Sequence, residues 1–358
     1  MRTSQCLLAE SKVLATDFTD FLQQAGYINK ESSGVYHYST LGQLALQRLE
    51  QRVQQMMNAE CTQWHMSLLQ HQGNWDKTGR AAAYGDELMS VQLRSGQVMR
   101  LAATAEEQIT NAVSRHLKGR NVHHWFYQIN TKWRDEVRVR GGLVRAREFR
   151  MLDAYSFDDT HQAMMARYEK GKEIVLAILH SLGCVTRIVH SDCGEIGGLM
   201  SEEIQVQTSL EDNQWLEVGH CFALGQKYAQ AFDFTNANKE HVWMSCHGLG
   251  TSRLLAVLLN ARRNNLQLLG DDQFSVVDDV LVCIGKSEET HTKAHKLYNV
   301  LRAQGRCVLW EDRFQRAGQA LTVSEMLGAR NRWVVSDRLQ GDQVEFLAFG
   351  EDAVVKSV

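Results

Sequence analysis

Residues 132–157 read KWRDEVRVRGGLVRAREFRMLDAYSF, and this stretch decides how the rest of the chain is understood. Lys132, Arg134, Arg138, Arg140, Arg145, Arg147 and Arg150 crowd into it, with only Asp135, Glu136 and Glu148 as acids before Met151. Trp133–Val139 and Arg147–Tyr155 have strand-like character, and Gly141-Gly142 supplies a turn, so a hairpin is predicted. Such a hairpin sets several guanidinium groups on one face, a geometry suited to phosphate oxygens, which accept paired N–H bonds from Arg. On charge alone, a solvated basic hairpin accounts for the same run. It does not account for the spacing Arg134-x-Glu136, a loop, then Arg145-x-x-x-Phe149-x-x-x-Asp153.

That spacing resembles motif 2 of class II aminoacyl-tRNA synthetases. The wider string RDEVR-x-R…REF…DAYSF resembles the bacterial-type prolyl-tRNA synthetase family in particular. The resemblance implies that Arg134 holds the ATP α-phosphate and the amino-acid carboxylate, with Glu136 near the adenine. It gives Arg145 the γ-phosphate and Phe149 a stacking place on the purine. It also implies an α+β fold: an antiparallel-sheet catalytic domain over residues 1–265, a linker at 266–274 and a small α/β anticodon-binding domain over 275–358.

Composition sets the outer bounds. A chain of 358 residues suits one large domain or two unequal ones. Hydrophobic residues make up 44% and no apolar run reaches spanning length, so a soluble protein with no membrane partner is expected. The start, MRTSQCLLAE, has neither a basic region before an apolar core nor a transit composition. Cysteines at 6, 61, 184, 193, 221, 246, 283 and 307 form no C-x-x-C pair, which fits reduced thiols in a cytoplasmic protein. A net charge of −3 argues against bulk capture of nucleic acid, so RNA contact must use local patches, and DNA is not an expected partner.

Proline is absent altogether. Average usage would give roughly 18 residues, and chance alone would give none less than about once in ten million such chains. Structural economy does not explain this, because proline stiffens suitable turns at little cost.

Along the chain, a helix is expected near Asp17–Ala25 and another over Leu41–Glu60, with Leu49, Val53, Met56 and Met57 forming its apolar stripe. MRTSQ and SGVYHYSTLG resemble the prolyl family, with Ser39 where Pro is usual. The resemblance makes 41–60 the motif 1 helix, hence a homodimer interface, with Ser67 at a usual Pro position. Thr104-x-Glu106 corresponds to the family loop that holds the α-amino group of proline, a cation that needs an anionic acceptor and a second oxygen. Alone, T-x-E also reads as a helix cap. Ala102-Ala103 stands where the family has Gly-Pro. His123-His124 would point to opposite faces of a strand and so make poor partners for one metal ion; no metal ligands are assigned.

Thr160–Leu182 carries a helical apolar pattern, and CGEIGGLMSEEIQV resembles the family segment ending S-x-E-x-Q-V, here Ser201, Glu203, Gln205 and Val206. Many bacterial members insert an editing domain near this strand, but QTSLEDNQ between Val206 and Trp215 is too short for one. EVGHCFALG, residues 217–225, matches the family closely. It implies that Glu217 and His220 line the nucleotide and ribose side and that Phe222 lies by the pyrrolidine ring. MSCHGLGTSRLLAVLL, residues 244–259, resembles motif 3: Gly248 and Gly250 admit the nucleotide, Arg253 faces the β/γ-phosphates and Cys246 floors the amino-acid pocket. Beyond 274, strand and helix signals alternate, predicting helices against a mixed sheet. DR-x-x-R-x-G, EMLGA-x-x-R and SDRLQGDQVEF resemble the family's anticodon-binding domain, with Ala317 and Ala329 at usual Pro positions, Ala320 for a Lys and Ser336 for a Gly.

The resemblance implies ATP and Mg²⁺ as cofactors and proline and tRNA(Pro) as substrates. The proline carboxylate attacks the α-phosphate with Arg134, Arg145 and Arg253 stabilising charge, and the tRNA hydroxyl then displaces AMP. Positioning and electrostatics carry such a reaction without a side-chain nucleophile. A synthetase without proline can be translated when prolyl-tRNA is scarce, which suits a back-up or resistance copy. The competing readings are a non-catalytic tRNA-binding or regulatory paralogue, disfavoured by retention of all three arginines, and a synthetase for another amino acid.

Overall fold

The computed structural model of the chain describes residues 1–6, 15–264, 274–313, 316–348 and 350–357. They form two compact units, one of Ser33–Val35 with Glu50–Ala256, the other of Met1–Ser32, Tyr36–Leu49 and Val257–Val358. The expected division at 265/275 differs from this, because the first segments of the chain group with its last third. Trp310 N–H donates to the Met1 carbonyl at 2.9 Å, and the buried Thr3 hydroxyl donates to Glu311 at 3.0 Å. Arg48 pairs with Asp278 at 2.9 Å and donates to the Ser275 carbonyl at 3.1 Å. Apart from Phe274, the expected linker at 266–274 lies outside the described residues.

The larger unit is built on a seven-stranded sheet in the order Thr62–Gln63, His123–Trp133, Glu148–Asp158, Trp243–Leu249, Trp215–Gly225, Met200–Gln207, Thr186–Ser191. Its first pair is parallel and every other pair antiparallel. Strand alternation gives the sheet two dissimilar faces. One packs Phe157, Phe222, Met244 and Cys246 against Ile109 and Val113 of the helix Glu106–Leu117. The other is covered by the helix His161–Ser181, capped by the Thr160 hydroxyl, which buries Met164, Tyr168, Ile174 and Ile178 as its periodicity predicts. Gly171 sets the distance between them: a Cβ there would lie 2.4 Å from the His247 imidazole.

The second unit holds a mixed five-stranded sheet, ordered Val308–Glu311, Val277–Ile284, Ala329–Ser336, Gln343–Ala348, Val354–Ser357. Val277–Ile284 runs parallel to both neighbours and the remaining pairs are antiparallel. Helices Glu288–Ala303 and Ala317–Met326 close over it, as the alternating signals predict. The expected early helix is Phe18–Gln24, capped by Asp17, and the helix expected over 41–60 is Thr40–Met57, with Leu49, Val53 and Met57 of its stripe buried and Met56 half-buried. Among the described residues no helix is long and apolar enough to cross a membrane, and all eight cysteines are free thiols.

Candidate active site

The hairpin expected over 133–155 is displaced. His123–Trp133 pairs with Glu148–Asp158 from His123↔Asp158 to Trp133↔Glu148, so the Arg134–Val139 stretch is loop rather than strand. The ladder ends because Asp135 N–H turns away to the Glu87 carbonyl at 3.0 Å, after a last bond from Arg134 N–H to Arg147 O at 3.0 Å. Gly141 and Gly142 make the expected turn with φ of 60° and 59°, values that favour glycine.

Most of the basic run is committed to acids, two within the stretch and two far from it in sequence, contrary to the expected row of phosphate-facing cations. Lys132 is buried against Asp153 at 2.8 Å, Arg140 meets Glu211 at 2.6 Å, Arg147 Asp135 at 2.9 Å and Arg150 Glu50 at 2.8 Å. Arg134 and Arg145 instead line a cleft together with Glu136, Phe149, Glu217, His220 and Arg253. The residues expected around the nucleotide thus share one cavity, though four separate segments supply them. Gly248 and Gly250 also line it, and added Cβ atoms there would make only ordinary protein contacts, at 3.8 and 3.5 Å. Glu87 joins the lining from a segment in which no site residue was expected.

Two of the three guanidinium groups are anchored by backbone. Arg253, on the first turn of the helix Thr251–Asn264, donates to the Val144 carbonyl at 2.9 Å and the Glu217 carbonyl at 2.8 Å. Arg134 donates to the Ala103 carbonyl at 3.3 and 3.2 Å, with its guanidinium 5.4 Å from the Phe149 ring. Arg145 has no carboxylate partner among the described residues, so its charge is available to an anion. Burial opposes ionisation of Glu217, but His220, at 3.0 Å, and Arg253 outweigh it and hold its carboxyl below the usual range.

The residues expected around the amino acid lie beside this cleft rather than in its lining. The Thr104 hydroxyl donates to Glu106 at 2.5 Å, and Cys246 Sγ lies 3.7 Å from the other Glu106 oxygen, with burial pushing the thiol well up. Phe222 stacks on the cavity-lining His220 at 4.1 Å and 17°. Through this stack, and through Arg134 on Ala103, the two groups adjoin.

Loop 102–105, lacking the family's Gly-Pro, is anchored by hydrogen bonds along its length. Ala102 N–H donates to Leu68 O, and Gln70 donates to the Thr104 carbonyl at 2.7 Å. Ala105 N–H donates to the Tyr155 hydroxyl at 3.2 Å, which in turn donates to Asp153 at 2.9 Å. Asp153 closes the spacing quoted above but was given no role, and Gln70 and Tyr155 were not read as site residues, because single polar residues in apolar runs carry no distinctive spacing.

His123 faces Asp159 at 3.5 Å, while His124 stacks with Phe126 at 5.8 Å, so the adjacent pair diverges as expected for a strand. Elsewhere Glu203, Glu217 and His220 offer ligand atoms within 4.8 Å of one another. The ladder brings them together by pairing Glu203 with His220. Met200–Gln207 and Trp215–Gly225 pair directly at Gln207↔Trp215, leaving only 208–214 as a turn.

An antiparallel sheet with Arg134 and Arg145 on one inter-strand loop and Arg253 at a helix start agrees with the resemblance to class II aminoacyl-tRNA synthetases, and comparison with known proteins points to the same class. The family described as tRNA synthetase class II core domain (G, H, P, S and T) matches residues 90–262. Beyond the core, the chain is 27% identical to the proline--tRNA ligase of Sulfurimonas denitrificans and 26% to that of Anaplasma marginale. Both matches span 96% of this chain and 94% of the relative. The same fold occurs in Giardia lamblia prolyl-tRNA synthetase, solved with prolyl-adenylate (TM-score 0.78, 18% identity, 94% of this chain and 72% of that one). It occurs also in the Cryptosporidium parvum enzyme solved with halofuginone and AMPPNP (TM-score 0.79, 15% identity, 95% and 75%).

Proposed function

We propose that this chain is a proline–tRNA ligase that activates proline with ATP and transfers it to tRNA(Pro). The observation that carries the reading is the convergence of Arg134, Arg145 and Arg253 on one cavity adjoining the Thr104–Glu106 pair. The proline carboxylate attacks the α-phosphorus, the bond to the β-phosphate oxygen breaks, and pyrophosphate leaves. Arg134 neutralises the carboxylate and α-phosphate, while Arg145 and Arg253 take the charge that builds on the leaving group. Glu106 receives the cationic amine, with Phe222 by the ring and Cys246 beneath it. Glu136 and Phe149 hold the adenine, and Glu217 and His220 the ribose side.

Two carboxylates and an imidazole form a donor set acceptable to Mg²⁺, the carboxylates being its preferred ligands, so Glu203 and Glu217 would hold the ion. It would supply further neutralisation of phosphate charge when bound. The unit containing residues 275–358 is assigned to the tRNA anticodon, and the 41–60 helix to a homodimer contact, in a cytoplasmic enzyme. With only 208–214 where an editing domain would enter, mischarged alanyl-tRNA is left for other proteins to hydrolyse.

The absence of proline extends this reading: synthesis of the enzyme does not consume its own product, which fits a back-up or resistance copy. ATP–pyrophosphate exchange with each amino acid, followed by charging of tRNA(Pro), tests the activity. No exchange would leave a tRNA-binding paralogue, and exchange with another amino acid alone would reassign the substrate. Translation in a system depleted of prolyl-tRNA tests the back-up role, which fails if yield drops as it does for proline-containing proteins.

A further inference from the structure

Beneath loop 102–105 lies a buried cation to which none of these roles is assigned. Arg80 follows Gly79, whose φ of 71° turns the chain between the short helices Gln72–Thr78 and Arg80–Tyr84. Its side chain is 1% exposed, and its guanidinium sits 5.4, 5.4 and 5.6 Å from the rings of Trp75, Tyr84 and Tyr228. Nη1 alone donates to Glu106 at 3.1 Å and to both Glu107 oxygens at 3.0 Å, while Nε and Nη2 have no partner among the described residues. A buried guanidinium with two unsatisfied nitrogens is a poor stabiliser, and an apolar side chain would suit an aromatic box better. Retaining the charge therefore calls for a reason outside packing.

Resting on the proline-activating reading above, we infer that Arg80 is a positioning residue for amine recognition. It keeps the Glu106 carboxylate anionic and fixed beside Thr104, and Glu107 and Thr78 brace it from behind. Thr78 donates to Glu107 at 2.8 Å. The same cluster reaches the other half of the pair, because the Trp75 indole N–H donates to Gln70 at 2.7 Å, and Gln70 donates to the Thr104 carbonyl. Burial works against ionisation of Glu106, but Arg80 and the Thr104 hydroxyl outweigh it; burial pushes Glu107 up. The other groups facing Glu106 are Tyr84, Tyr155, Tyr228, Cys246, Arg134 and Lys227. The phenols and the thiol are all pushed up, hence neutral. Among the described residues Arg80 is the one cation in hydrogen-bond reach of Glu106.

The test is pyrophosphate exchange by the full chain and its Arg80→Met and Arg80→Lys variants. KM for proline and for ATP are measured separately from about pH 6 to about pH 9, and melting curves report the fold. Without the neighbouring cation the Glu106 carboxyl holds its proton to higher pH. Arg80→Met is therefore expected to raise KM for proline about 10- to 100-fold at the acid end, recovering as pH rises, with KM for ATP unchanged. Arg80→Lys is expected to fall between. A parallel rise in both KM values, or a proline effect of equal size at every pH, overturns the inference and leaves a structural role. If Arg80→Met does not fold, Arg80→Lys decides by the same slope. Exchange unaffected in both variants sinks this inference alone, whereas no exchange by the unaltered chain with any amino acid sinks the functional reading and this one with it.

Discussion

Replacing Tyr155 with phenylalanine removes one oxygen from beneath the loop that carries Thr104 and Glu106. That oxygen accepts from Ala105 N–H at 3.2 Å and donates to Asp153 at 2.9 Å, and Tyr155, Ala105 and Asp153 are all buried. Burial and the Asp153 carboxylate push the phenol well up, so it remains a donor throughout the working range. Phenylalanine fills the same ring volume but leaves Ala105 N–H without an acceptor, which costs about 1–3 kcal/mol. The lost bond to Asp153, which keeps Gln128 at 2.8 Å and its ion pair with Lys132, adds about 1 kcal/mol. Tyr155→Phe is therefore expected to lower unfolding free energy by about 2–4 kcal/mol, read as a shift in the urea midpoint at unchanged slope. Ala105 immediately precedes the helix that starts at Glu106, so KM for proline should rise while KM for ATP changes little. A variant within about 0.5 kcal/mol of the parent, with the same KM for proline, would refute the reasoning that this hydroxyl holds the loop.

Arg145→Ala should raise KM for ATP and slow exchange by roughly tenfold or more without loss of stability, since Arg145 has no ion-pair partner among the described residues; unchanged ATP kinetics would remove it from phosphate binding. Gly171→Ala should destabilise by about 1–3 kcal/mol, because the added Cβ would lie 2.4 Å from the His247 ring; a neutral result in denaturant titration would mean that helix and strand can separate freely. Burial lowers the His247 pKa to about 4 from 6.5, so the fold favours the neutral ring. The stability this contributes is present in full above pH 6.5 and is lost as pH falls towards about 4, amounting to about 3 kcal/mol. A His247→Gln variant should show a flatter stability profile across that window, and an identical slope would assign the loss to other groups.

The residues that line the cavity could be picked out because they sit at fixed spacings within continuous strings, as in Arg145-x-x-x-Phe149 and Glu217-x-x-His220. The strand boundary at Trp133 was not, since what ends the ladder is a backbone bond to Glu87, far away in sequence. For the same reason the basic run looked more available than it is: Asp153, Glu211 and Glu50 reach it only through the fold. Arg80 went unread because its meaning depends on three rings and two carboxylates that no local pattern joins. The fold shows one compensation for missing proline that sequence could not. Ser39, at a usual proline position, donates its N–H to the Tyr27 carbonyl at 3.1 Å, a bond that proline has no proton to make. The grouping of Met1–Ser32 and Tyr36–Leu49 with the end of the chain was likewise hidden, resting on contacts such as Arg48 with Asp278.

The short turn at 208–214 has a practical side. Thr208 N–H and the Gln214 carbonyl close it at 2.9 Å, and Glu211 within it grips Arg140, on the same irregular stretch as Arg145. A guest module spliced in here would enter and leave through adjacent rungs of a ladder, at an entropic penalty that grows only slowly with its size. It would also tug on the arm that carries Arg145 into the cavity. Ligand-dependent guests at this position would thus turn the chain into a sensor read through the pyrophosphate exchange proposed above.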